Sequence, residues 1–474
     1  MAAFHGLETG AQTGAARGFS RAGPRWDPAL EAIAEKVEAG ARLSLDDGMT
    51  LLTTRDVWSV CQLADGVRRR LHGTKTFYNI NRHLNYSNVC ALSCKFCEFY
   101  RKKDEPGAYT RDMEYVRAQV RGAVEAGATE MHCVGGLHPY LPWSYYPDMV
   151  RTIRETAREM GSALHVKAFT AVEIVHLAKI AKVYKVDDRA AGIRWVLSEL
   201  KSAGLGSLPG GGAEVFDDRV HDEAFKGKIR SDVWLDVHRV AHELGLNTNA
   251  TMLYGHVERR EDRLVHMDML RRAQDRALAR LGYSADGMVS APVAPLAARS
   301  ERFDGGHLGA MGDEGEGAPE ITLTRKGVPL PESFALGSGA EGPLGPGYFQ
   351  TIIPLPFFPD GSALEHLQGP MGLENLRTLA TTRLMLDNFP HVKAFWIMQT
   401  LPMAQLMLRA GADDIDGTVV WYDITKVGGS STHQEVTVRT LQKAIRDAGM
   451  EPVERDTLYR AVVREGAAWR VAEH

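Results

Sequence analysis

From Phe77 onward, short apolar runs rich in β-branched residues alternate with longer stretches whose apolar positions recur at helical spacing, the signature of repeated strand–helix units around a parallel sheet. Eight runs read as strands: Phe77–Asn81, Glu130–Val134, Leu164–Phe169, Gly204–Leu208, Asn247–Leu253, Phe349–Leu355, Val392–Ile397 and Asp414–Val420. Helical spacing fills the connections, over Arg111–Glu125, Ser144–Met160, Val172–Lys182, Ala191–Ser202, Ser231–Leu244, Asp262–Leu281, Leu373–Asn388, Ala404–Arg409 and Val436–Ala448. An open, doubly wound sheet needs two edge strands polar on one face, and none reads that way. The pattern therefore predicts an α/β protein built as a closed (β/α)8 TIM-type barrel.

Two segments stand outside this rhythm. Residues 28–72 read as a helical segment preceding the barrel, with Ser44 and Asp47 spaced as a capping box at the start of its second helix. Residues 284–346 are roughly 30% Gly or Pro, a composition that interrupts the barrel (73–474) as a low-complexity insertion after the fifth strand and its helix. That insertion reads as a tolerated surface loop, or as a lid over the barrel mouth; within it Ile321–Thr324 could form a hairpin arm. Residues 1–27 read as a flexible tail, since they lack the continuous apolar stretch of a signal peptide.

Charge narrows the class. With 56 basic and 60 acidic side chains the formal charge is −4, so no polyanion-binding coat is expected and neither nucleic acid nor membrane is an expected partner. No apolar run is long enough to span a bilayer, and the most apolar stretch, Phe349–Phe358, is broken by Pro354 and Pro356. The five cysteines are Cys61, Cys90, Cys94, Cys97 and Cys133, too sparse for a disulfide scaffold, which points to a reducing, cytoplasmic compartment. Cys61 in a helical context and Cys133 on the second strand read as core.

The other three lie within eight residues, directly after the first strand, as Cys90-x3-Cys94-x2-Cys97. Three thiolates can hold three irons of a 4Fe–4S cube and leave the fourth open to a substrate. The alternatives are a zinc site completed by a histidine such as His83, or incidental loop cysteines. The position is that of a barrel active site, at the C-terminal ends of the strands. Other polar or glycine-rich motifs fall at the same end: Gly135-Gly136 after the second strand, Gly210-Gly211-Gly212-Ala213-Glu214 after the fourth, and Asn249 through Glu258 at the end of the fifth. The bland readings are a tight turn for Gly135-Gly136 and a helix-capping acid for Glu214. The run at 210–212 matches neither a P-loop nor G-x-G-x-x-G.

The cysteine spacing, with aromatic Phe96 before the last cysteine, resembles the signature of the radical S-adenosylmethionine (radical SAM) enzymes. Longer motifs carry the likeness further: Asn81-Arg82-His83-Leu-Asn85-Tyr-Ser87-Asn88-Val-Cys90, Gly135-Gly136-Leu-His138-Pro139, Lys167-Ala-Phe169-Thr170-Ala-Val-Glu173-Ile, Leu208 through Glu214, Asn247 through His256, Arg383 through Pro390 and Asp413 through Thr418. Together they resemble the aminofutalosine synthase family of menaquinone biosynthesis. The related dehypoxanthine futalosine cyclase carries a second histidine where Leu137 stands and Ser-Pro-Pro where Thr170-Ala-Val occurs; a deazaflavin-cofactor synthase is the other near relative. Gln399-Thr-Leu-Pro402 departs from the glycine-containing turn expected after the seventh strand.

The resemblance implies a [4Fe–4S] cluster on Cys90, Cys94 and Cys97, with S-adenosylmethionine as a consumed co-substrate. Phe96, Gly135, Gly136, Glu214, Asn249 and Glu258 would surround it. It further implies addition of the 5′-deoxyadenosyl radical to the vinyl bond of 3-[(1-carboxyvinyl)oxy]benzoate, aryl migration and loss of the carboxyl carbon, giving 6-amino-6-deoxyfutalosine. Such chemistry needs proximity and a dry cavity rather than a strong general base. Because this substrate is a dicarboxylate, Arg82, His138 and Lys167 are the candidate substrate-binding residues. A flavodoxin or ferredoxin would supply electrons. A non-enzymatic iron–sulfur carrier or sensor is the reading of another class, and it leaves the polar strand ends without a purpose.

Overall fold

The computed structural model describes residues 27–281, 346–418 and 435–472. Residues 284–345 of the expected insertion, residues 1–26 of the expected tail and the end of the eighth expected strand at Val419–Val420 lie outside the described residues.

Seven parallel strands form one curled sheet in sequence order: β2 (Asn81–Leu84), β3 (Glu130–Cys133), β4 (His165–Ala168), β5 (Ser207–Leu208), β6 (Asn247–Tyr254), β7 (Phe349–Pro356) and β8 (His391–Val392). The ring returns on itself through β9 (Asp414–Gly417), which bridges the end of β8 at Lys393↔Asp414 and pairs in parallel with β1 (Lys75–Asn79). Only Ile80 separates β1 from β2, so the single strand expected at Phe77–Asn81 is a longer strand broken once, and its two halves serve two sheets. Its other neighbour is β10 (Glu451–Glu454), and a hairpin of β11 (Val462–Glu465) and β12 (Ala468–Val471) follows.

Helices cover the outside: α4 (Met113–Glu125), α5 (Tyr145–Glu159), α6 (Ala171–Ile180), α7 (Arg189–Ala203), α9 (Ser231–Glu243), α10 (Arg260–Arg280) and α11 (Gly372–Met385). Before the barrel come α1 (Glu31–Ala39), α2 (Leu45–Thr53) and α3 (Val57–His72), of which α2 and α3 pack on α10 and α11. Ser44 and Asp47 form the capping box at the start of α2. Arg42 staples this segment to the barrel, reaching Asp275 at 2.7 Å and Asp387 at 3.1 Å. A short helix, α8 (Asp218–Ala224), has no counterpart in the sequence pattern.

The strand expected at Val392–Ile397 ends early. β8 stops at Val392, and Trp396 opens a helical turn, α12 (Trp396–Gln399), before α13 (Leu401–Met407). Between these two helices Thr400 sits at φ 67°, taking the left-handed conformation where a glycine would be the relaxed choice. The core fills the space between barrel and helices with residues such as Val116, Ile153, Val196, Val237 and Leu379, all fully buried. Among the described residues no helix is long and apolar enough to cross a membrane.

Candidate active site

Loops from several strands converge over the C-terminal end of the barrel and enclose a cavity of about 310 Å³. By chemistry its lining falls into three groups. The mouth carries Cys90, Cys94, Phe96, Cys97, Gly135, Gly136, the glycines at 210–212, Glu214 and Lys228. The waist is apolar, from Val134, Leu253, Ile353, Leu355, Phe395 and Met398. The floor is polar, from His83, His132, Lys167, Asn249, Lys393 and Asp416. Barrel interiors are ordinarily filled by branched aliphatic side chains, so a charged floor is a departure that packing alone does not call for.

Backbone bonds hold the cysteine loop from both sides. The Cys90 amide donates to Arg101 O at 3.0 Å and the Ala91 amide to Leu137 O at 2.9 Å, while the Leu137 amide points at Cys90 Sγ at 3.4 Å. Lys102 donates to the carbonyls of Cys90, Ala91 and Leu92. The neighbouring turn fits only because it lacks side chains: a Cβ on Gly136 would stand 2.4 Å from Val89 O, and one on Gly210 would stand 2.5 Å from the Ala250 backbone. One carboxylate ties these pieces together. Glu173, in the capping box of α6 with Thr170, also accepts from Tyr86 Oη at 2.7 Å and from the Gly135 amide at 3.0 Å.

Burial pushes the Cys94 thiol up to about 11 and also raises Cys97, against the pull of the nearby Lys228 ammonium. In this pocket the neutral thiol is favoured until a metal's charge holds the thiolate. Lys228 bonds Glu214 and lies 4.8 Å from the centre of the Phe96 ring. Burial would lower its ammonium pKa, but Glu214 and Cys94 outweigh burial and raise it.

Residues 84–270 match the radical SAM superfamily, and residues 346–465 match the CofH/MqnC C-terminal region. The chain is 38% identical to the aminodeoxyfutalosine synthase of Thermus thermophilus, over 92% of this chain and 96% of that one. Identity to the aminodeoxyfutalosine synthase of Streptomyces coelicolor is 35%, over 91% and 94% of the two chains. The chain belongs to the aminodeoxyfutalosine synthase family of radical SAM proteins. In fold it is like the crystal structure of methylornithine synthase, with a TM-score of 0.57 at 15% identity, over 88% of this chain and 96% of that one.

Radical SAM membership implies a [4Fe–4S] cluster and S-adenosylmethionine. The donor set fits a cluster better than a single ion. Three thiolates on one zinc would lie within about 4 Å of one another, given a Zn–S bond of about 2.3 Å. Yet among the described residues the one group of three such ligand atoms within 4.8 Å of each other is His72, His391 and Asp413, remote from the cysteines in the fold. His83, considered as a zinc ligand, stacks on His132 at 4.5 Å at the cavity floor.

Of the residues expected at the site, the three cysteines, Phe96, Gly135, Gly136, Lys167, Glu214 and Asn249 line the cavity. Three do not. Arg82 alternates with His83 on β2, and its guanidinium lies against Gly122 of α4, outside the barrel wall. His138 is satisfied by its own surroundings: Nδ1 accepts from the Tyr140 and Leu141 amides, and Nε2 meets Thr110 Oγ1 at 3.1 Å. Glu258 accepts from the Gly255 and His256 amides and pairs with Arg263, capping its own loop. The sequence reading missed Lys228, Glu173 as a tie between loops, and Lys393. A lysine in the apolar run Val392-Lys393-Ala394-Phe395 is the signal that could have found the last.

Proposed function

We propose that this chain joins the 5′-deoxyadenosyl group of S-adenosylmethionine to 3-[(1-carboxyvinyl)oxy]benzoate to give 6-amino-6-deoxyfutalosine, a step of menaquinone biosynthesis. The observation that carries the reading is a three-cysteine loop set over a deep cavity with an apolar waist, in a chain similar over nearly its whole length to two aminodeoxyfutalosine synthases. Cys90, Cys94 and Cys97 would hold a [4Fe–4S] cluster, which when reduced would supply the electron for cleaving the sulfonium of S-adenosylmethionine.

The chain's own residues do the rest. The Glu214–Lys228 pair offers the two opposite charges that a methionyl zwitterion presents. Gly135 and Gly136 let backbone come close to it. Val134, Leu253, Ile353 and Leu355 keep water away from a carbon radical, which would otherwise be lost to side reactions. No residue needs to act as a strong base, in keeping with a floor whose carboxylates are already spent on lysines. The electron comes from a small redox protein such as a flavodoxin or ferredoxin in the cytoplasm, a reading supported by five unpaired cysteines.

Ribose-labelled S-adenosylmethionine tests the proposal. With the enol-ether benzoate present, label should appear in a product retaining the adenine and ribose carbons. Recovery of all label as 5′-deoxyadenosine, with turnover of dehypoxanthine futalosine instead, would move the chain to the cyclase reaction.

A further inference from the structure

The cavity floor is built around two buried ammonium groups. Lys167 on β4 bonds Glu130 at 2.7 Å, and Lys393, just past β8, bonds Asp416 at 2.6 Å. Both lysines are at least 95% buried. Each ammonium can donate three hydrogen bonds, and among the described residues each donates one, so both line the cavity with donors to spare. Burying an ammonium without exhausting its donors is costly, and a chain that does so twice on one surface is prepared for an acceptor. Asp416 is also held at φ 72°, a conformation strained for a non-glycine residue, and such strain gathers at ligand sites.

The order of lining residues along two of the strands suggests what that acceptor is. On β3 and past β8 a polar residue is followed two positions on, toward the cysteine loop, by an apolar one: His132 by Val134 and Lys393 by Phe395, one inward-facing rung of about 6.6 Å. One rung is of the order of the span of a benzene ring with two meta substituents. The cysteines lie on the loop above. A ligand carrying an aromatic ring between two acidic ends therefore fits with its reactive end under the cysteines, its ring in the waist and its far acid on the floor.

We infer that Lys167 and Lys393 form an aryl-carboxylate subsite, which binds the benzoate carboxylate of the substrate and leaves the enol-ether end beneath the cysteine loop. This rests on the proposed reaction for the substrate's identity. His83 and His132 form the adjoining wall; burial holds the His83 imidazole down to about 4, so at neutral pH it brings no charge of its own and the lysines supply the attraction. Both ammonium groups line the same cavity, each beside its own carboxylate.

The test is calorimetric binding to the cluster-loaded protein with S-adenosylmethionine present. The probe is 3-(1-carboxyethoxy)benzoate, the saturated analogue with no vinyl bond to react, compared with 3-(1-carboxyethoxy)benzamide. The acid should bind at least tenfold tighter than the amide. Lys167→Met and Lys393→Met should each weaken the acid at least tenfold while leaving the amide within about threefold. Because Lys393→Met strands a buried acid, Lys393→Met/Asp416→Asn, which preserves the charge balance, serves as the second variant and should show the same loss of preference. An acid-over-amide preference that is absent in the parent protein, or that survives in all of these variants, overturns the subsite. Turnover of the enol-ether benzoate is scored separately. A parent protein that converts it while its variants keep the preference loses only the subsite; one that does not convert it, yet prefers the acid through both lysines, loses only the proposed reaction.

Discussion

The two ends of the barrel are equally polar and behave in opposite ways. At the N-terminal end, Asp413 accepts from Arg383, from His391 Nδ1 at 2.6 Å and from the Val392 amide at 2.8 Å. Arg383 spends its remaining donors on the carbonyls of Gly411, Phe389 and Pro390, and Arg455 closes on Asp414 at 2.7 Å. His391 is stacked between His72 and Tyr459. Around Asp413 protein groups satisfy one another, and the three ligand-type residues His72, His391 and Asp413 act as a plug with a guanidinium on its carboxylate. At the C-terminal end, thiols, glycine backbone and two half-satisfied lysines face an open cavity. A saturated polar cluster stabilises a fold, whereas an unsaturated one awaits a ligand.

The sharpest way to break that contrast is to change each end and read both stability and activity. Cys90→Ala, Cys94→Ala and Cys97→Ala should each reduce cluster content and turnover to background while leaving the melting temperature of the iron-free protein unchanged. Cys61→Ala and Cys133→Ala should keep the cluster. Iron analysis and visible absorption decide it, and full cluster loading in any of the first three would refute the assignment.

The opposite signature is expected at the plug. Asp413→Ala leaves the buried Arg383 charge uncompensated and should cost about 3–5 kcal/mol in urea unfolding. Turnover per folded, cluster-loaded molecule should stay within a factor of two. Intact stability would mean that the plug contributes little.

Glu173 tests whether saturation also matters at the mouth. Its two oxygens receive four hydrogen bonds, from Tyr86, Gly135 and twice from Thr170. Glu173→Gln forces an amide N–H₂ against donors, at roughly 1–3 kcal/mol for each buried partner left unmade. We expect at least a tenfold fall in turnover with iron content retained; unaltered kinetics would show that the loop positions itself without it.

The smallest effect, per group, is in pH. Burial holds His83 down to about 4 and His72, His165, His242 and His266 to about 3. Below about pH 6.5 the unfolded chain takes up protons that the native imidazoles refuse, so stability falls as pH drops from 6.5 toward 4. The loss is about 1.4 kcal/mol per pH unit for each such imidazole. Thermal melts from pH 8 to pH 5 should descend only on the acid side, and a flat profile would contradict the buried, neutral histidines.

What the sequence made legible were features whose meaning is local. The cysteine spacing, the Ser44 capping box and the long amphipathic helices depend on neighbours within a few residues, and the structure contains all of them. Facing was harder. Ending the first strand at Asn81 left residues 82 and 83 outside it, and with a side-chain period of two a single position decides between cavity and exterior; His83 is inside and Arg82 is not. His138 and Glu258 misled because a polar residue after a strand looks the same whether its partners are ligands or its own loop amides. Lys228 and Lys393 stayed hidden because their partners come from other parts of the chain. The strands β10 to β12 were missed because they are short, charged and, at Pro452, interrupted.

The barrel's closure has a mechanical side. A hoop gives way at its seam, and here the seam is the junction of β8 with β9, held by Lys393↔Asp414 and the amides of Asp413 and Ala394. By contrast, β6 and β7 share a ladder of seven paired positions. Breathing should therefore begin at the seam, so hydrogen exchange is expected to reach Asp413 and Ala394 before any amide of β6. Since Lys393 belongs to the same junction, a ligand that grips it would act as a clasp, slowing exchange there while leaving the β6–β7 side as it was.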